Sequence, residues 1–105
     1  MGNMFQQGLI AVENPTAYGT VKSAIESAFA TPVVSTLLQR VERARLRVRD
    51  FETVLDQGLL GDAAKSAYAQ LGDSDRGQIR ELYLASVEQV PQDIRGKFLK
   101  VYAYY

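Results

Sequence analysis

One pattern limits the fold more than any other: Val34, Leu37, Val41, Ala44, Val48, Phe51 and Leu55 follow one another in alternating steps of three and four. An α-helix turns once in 3.6 residues, so these side chains fall on one stripe. The spacing predicts a single helix from Pro32 to Gln57, ended by Gly58, the residue type that most easily turns left-handed after a helix. At 1.5 Å per residue such a helix spans about 39 Å, whereas a 100-residue domain has a radius of gyration of about 13 Å. The chain has 105 residues, enough for one domain built along that beam.

Other helix boundaries are written in caps and breakers. Asn14-Pro15 and Thr31-Pro32 each place a capping side chain before a proline suited to the first helical position. Tyr18, Val21, Ile25, Ala28 and Phe29 then draw a stripe along a first helix that ends near Ala30, with Gly19 as its weak point. Beyond Gly58, Asp62 is placed to cap a short helix with Ala64, Ala67, Tyr68 and Leu71 inward, closed by Gly72. Asp73 or Ser74 caps the next, with Ile79, Leu82, Tyr83, Ser86, Val87 and Val90 inward. Pro91 interrupts it and opens a last helix carrying Ile94, Phe98, Val101, Tyr102 and Tyr105 on one side. No alternating run argues for a strand. The expectation is an all-α single small domain: a bundle of four to five helices (residues 15–105) around the long central helix at 32–57. Residues 1–14 form an arm, mobile or strapped across the bundle.

Composition removes most chemistry. The chain has no histidine, cysteine or tryptophan, which excludes Cys/His metal sites, thiol catalysis and histidine-based triads. No Ser-x-x-Lys and no glycine-rich phosphate loop occurs. Asp73-Ser74-Asp75-Arg76-Gly77 opens like a calcium loop, but the sixth and twelfth positions hold Gln78 and Leu84 instead of Gly and Glu. Glu52 and Asp56 are one turn apart without the histidines that complete a carboxylate-bridged metal site in a bundle. The expectation is no catalytic residue, no cofactor and no metal. The start of the chain lacks a basic, apolar leader and no stretch approaches a membrane span, so a cytoplasmic protein without membrane contact is expected.

Charge is where the sequence offers a surface. Twelve basic residues balance twelve acidic ones, yet Arg40, Arg43, Arg45, Arg47 and Arg49 crowd into ten positions. On one continuous helix, Arg45 and Arg49 share a flank with Glu42, Glu52 and Asp56, whereas Arg40, Arg43 and Arg47 share the other with only Asp50 in reach. That trio is the candidate partner-binding set. A parallel zipper through the heptad seam would oppose Arg40 to Arg45 and pair Arg47 with Glu52, which argues neither way. The hairpin at 63–87 has Asp73 where a helix-turn-helix wants an apolar residue, so reading of DNA bases by it is not favoured. Tyr102, Tyr104 and Tyr105 crowd the end of the chain and form a second candidate contact surface. The expected function is a non-enzymatic helical protein–protein interaction module: an adaptor, an assembly subunit or a homodimer. The alternative is binding of nucleic acid or another polyanion through the arginine flank.

Overall fold

The long stripe folds as two helices rather than one. The computed structural model describes residues 12–99 and Tyr105, and among them the helices run α1 (Pro15–Phe29), α2 (Val33–Arg43), α3 (Phe51–Asp56), α4 (Asp62–Ala69), α5 (Asp73–Glu88) and α6 (Gln92–Phe98). The all-α class and the small single globule hold, with six helices among the described residues where four to five were expected, and the described residues contain no strand. The beam at 32–57 does not: α2 stops at Arg43 and α3 starts at Phe51.

The reason is burial. A straight rod would carry Phe51, Val54 and Leu55 away from the core that Val34, Leu37, Leu38 and Val41 enter. Folding back after α2 brings both sets into one cluster, where all seven are buried. The Phe51 ring then lies 4.7 Å from Tyr83, and Tyr83 meets Phe29 edge-on at 5.3 Å. Helical periodicity is a local preference, and the core gained by breaking the helix outweighs the bonds lost at the break. Asp50 restarts the chain: its carboxylate accepts the Thr53 hydroxyl at 2.9 Å and the Thr53 N–H at 3.4 Å, capping α3.

Other boundaries shift less. Asn14 caps α1 as its sequence predicts, accepting the Ala17 N–H at 3.2 Å, and Pro15 takes the first helical position. Thr31 does not cap α2; Pro32 occupies the cap position without a side-chain bond, and the Thr31–Pro32 peptide is cis. Gly61 and Gly72 stand at the caps expected of Asp62 and of Asp73 or Ser74, which become first-turn residues. The last helix ends at Phe98 and does not extend its stripe to Tyr105. Residues 1–11 of the expected arm, with Val101 and Tyr102, lie outside the described residues.

α1 packs on α4 and α5, α2 bridges α1 and α6, and α3 rests on α4 and α5. Among the described residues, one buried residue is charged. Asp75, in the first turn of α5, has 0 % exposure; its carboxylate accepts the Asn14 N–H at 2.9 Å and the Glu13 N–H at 3.1 Å on both oxygens. Asp75, which in sequence belongs to an incomplete calcium loop, thus ties the entrance of α1 to the entrance of α5.

Candidate interaction surface

The end of α2 and the link to α3 form a basic corner whose shape follows from its hydrogen bonds. Leu46 N–H donates to the Val41 carbonyl and Arg45 N–H to the Glu42 carbonyl, both at 3.0 Å. This is the paired closure of a Schellman turn, and it needs a left-handed residue at its next-to-last position. Arg45 supplies it with φ 58°. α3 ends in the same way: Leu59 N–H reaches Val54 at 3.2 Å, Gly58 N–H reaches Leu55 at 3.0 Å, and Gly58 has φ 80°. Glycine takes that conformation freely, while an L-residue carrying a Cβ gives up about 1–2 kcal/mol. An arginine therefore stands where a glycine is the less strained choice.

Past the turn the chain alternates. Leu46 and Val48 point into the core, while Arg45, Arg47 and Arg49 are exposed. Arg40 and Arg43, also exposed, occupy the last turn of α2, where cations complement the helix dipole. Arg40 and Arg43 thus lie on α2 and Arg47 on the link, not on one flank of one helix. The break also redistributes the acids that were expected to offset Arg45 and Arg49. Glu52 turns to Tyr68 at 2.8 Å and Arg80 at 3.3 Å, Asp56 faces Lys65 at 3.7 Å, and Asp50 caps α3. Arg49 pairs with Glu88. Among the described residues Arg40, Arg43, Arg45 and Arg47 have no ion-pair partner. Arg45 joins the candidate set; its signal in the sequence is the pattern Val-x-x-x-Arg-Leu, which matches Val-x-x-x-Gly-Leu at 54–59.

Tyr105 is engaged inside the molecule. Its hydroxyl donates to Glu88 at 2.7 Å and accepts from Arg95 at 2.8 Å, and its carbonyl accepts the Arg49 N–H at 3.2 Å. The guanidinium groups of Arg49 and Arg95 each lie 5.4 Å from its ring centroid. The phenol hydrogen bond, then Arg49, hold the Glu88 carboxyl below the usual carboxylate range. Tyr102 and Tyr104 lie outside the described residues.

Two hollows lie on the surface of the described residues. One, of about 520 Å³, is lined by Glu52, Asp56, Lys65, Tyr68 and Arg76. Its charges answer one another, the Arg76 guanidinium stacks 4.9 Å from the Tyr68 ring centroid, and burial, then Glu52, push the Tyr68 phenol up. A phenol held protonated between a carboxylate and arginines is not poised as a base. The other hollow, of about 480 Å³, is a groove between the ends of α1 and α5 and the start of α2, with Glu26 on its lining. Among the described residues no group of three or more acidic, histidine or cysteine side chains is placed to hold a metal ion, and no helix is long and apolar enough to cross a membrane.

No protein-family model matches the chain, and comparison with curated proteins and with solved structures gives no match either.

Proposed function

We propose that this protein is a non-enzymatic protein–protein interaction module whose basic corner docks an acidic segment of a partner. The observation that carries the reading is the set Arg40, Arg43, Arg45 and Arg47: exposed, without an ion pair among the described residues, one of them in a backbone conformation that favours glycine. Local strain in a fold with glycines to spare is a reason to look for a function of the side chain itself. Planar guanidinium groups suit carboxylates because each offers two parallel N–H donors. The chain as a whole carries no net charge, so it lacks the broad positive field that draws proteins to nucleic acid. A cysteine-free domain requires no oxidising compartment, and we assign the module to the cytoplasm.

The test is affinity for a glutamate-rich peptide before and after Arg40→Gln, Arg43→Gln, Arg45→Gln and Arg47→Gln are combined. Exposed ion pairs contribute about 0.2–1 kcal/mol each, so four of them set an expected loss of about fourfold to several hundredfold. Unchanged affinity overturns the reading. Tight binding of duplex DNA, falling log-linearly with salt, favours the polyanion alternative instead.

A further inference from the structure

We infer that the partner of the basic corner is a second copy of this chain, which receives it in the groove where α1 and α5 end; this rests on the function proposed above.

The groove has the chemistry to take a cation on an apolar stem. α1 and α5 run the same way: Asn14 at the start of α1 is hydrogen-bonded to Asp75 in the first turn of α5, and Phe29 at the end of α1 touches Tyr83. Both C-termini therefore reach the groove, bringing the negative ends of two helix dipoles to one place. Such an end is commonly compensated by a lysine or arginine in the last turn, and neither helix has one. Glu26 adds a carboxylate, exposed and without an ion pair among the described residues, although Lys22 stands one turn before it. The walls are mixed: Phe29, Leu82 and Val90 offer apolar surface beside the polar side chains of Thr31, Ser86 and Gln89. An arginine side chain lays its three methylene groups on such a wall while its head meets the carboxylate.

Among the described residues, the basic corner does not reach the groove of its own copy. Val34 lines the groove and Arg43 lies nine residues further along the same helix, about 14 Å away. Corner and groove meet between copies, head to tail, each copy presenting its corner to the groove of the next. The contact is small and charged. It belongs with weak, transient interfaces, and salt weakens it.

Complementation tests this. Glu26→Lys spoils the groove and leaves the corner; Arg40→Gln, Arg43→Gln and Arg47→Gln together spoil the corner and leave the groove. All four positions are exposed, so circular dichroism should show both variants folded. In sedimentation velocity up to several hundred micromolar, the unaltered chain should sediment faster as concentration rises at 50 mM NaCl and lose that trend at 500 mM. Each variant alone should stay monomeric. Their equimolar mixture should form a one-to-one dimer and nothing larger. A monomeric unaltered chain, self-association of either variant, or a mixture that stays monomeric overturns the inference. Deca-glutamate binding by the unaltered chain separates the two levels: if the peptide binds and copies do not, only this inference falls; if neither binds, the proposed function falls with it.

Discussion

The hydroxyl of Tyr83, at 0 % exposure, donates a 2.5 Å hydrogen bond to the carbonyl of Val48. Val48 lies in the link between α2 and α3, outside any helical ladder, and it too is fully buried. Tyr83 therefore satisfies a backbone group that the broken helix leaves in the core. Tyr83→Phe keeps the ring contacts with Phe29 and Phe51 and removes this bond. A buried acceptor left without a partner costs about 1–3 kcal/mol, and urea unfolding should show a loss of that size.

The same tyrosine makes stability sensitive to alkali. Burial, then the charge of Asp50, push its phenol well above the ordinary 10.0. Above pH 10 the unfolded chain releases a proton that the folded chain retains. Stability is therefore full below pH 10 and falls as pH rises toward the folded value. Tyr83→Phe should flatten the decline between pH 10 and 11.5, read as the midpoint of urea unfolding at each pH.

Arg45 and Gly58 hold equivalent places in two turns, and exchanging their chemistry has opposite effects. Arg45→Gly relieves about 1–2 kcal/mol of left-handed strain and returns about 0.5–1 kcal/mol through the freedom of glycine in the unfolded chain. The net gain of about 0.5–1 kcal/mol should raise the melting temperature by about 2–6 °C in a domain of this size. Gly58→Ala should lower it. If the basic corner works as proposed, Arg45→Gly should also weaken peptide binding, gaining stability at the expense of function.

Those two turns show how far the sequence could be read. At 54–59, glycine marks the end of α3 by its residue type alone. At 41–46 the same bonds form around arginine, and a continuous heptad pattern hides the break. Asp50, with Glu52 in the first turn and Thr53 at the bonded position, is a restart signal that the stripe overshadowed. Arg40, Arg43 and Arg47 stand out by charge alone. That Arg45 belongs with them depends on where Glu52 and Asp56 turn, and Glu26 and Val90 share a groove only because α1 and α5 run parallel. Neither relation leaves a trace in local spacing.

Asp75 is a buried anchor. Asp75→Asn keeps the shape and removes the charge from bonds to two backbone N–H groups. Hydrogen bonds to charged groups contribute about 1.5–3 kcal/mol, and most of that should be lost. Hydrogen exchange at the Glu13 and Asn14 amides should accelerate more than at the Val21 amide in α1.

Glu88 should report on Tyr105. With the phenol bond removed by Tyr105→Phe, the Glu88 carboxyl should titrate nearer its ordinary 4.5 in an NMR titration. Because its folded value lies below the unfolded one, its small contribution to stability is present above the unfolded value and lost as pH falls through the folded value.

The basic corner is proposed as a docking surface for acidic protein. The most direct measurement is an amide chemical-shift titration of the labelled chain with a glutamate-rich peptide. Saturable shifts concentrated at residues 40–49 and abolished in 500 mM NaCl are expected. Shifts centred elsewhere, or none at millimolar peptide, would contradict it.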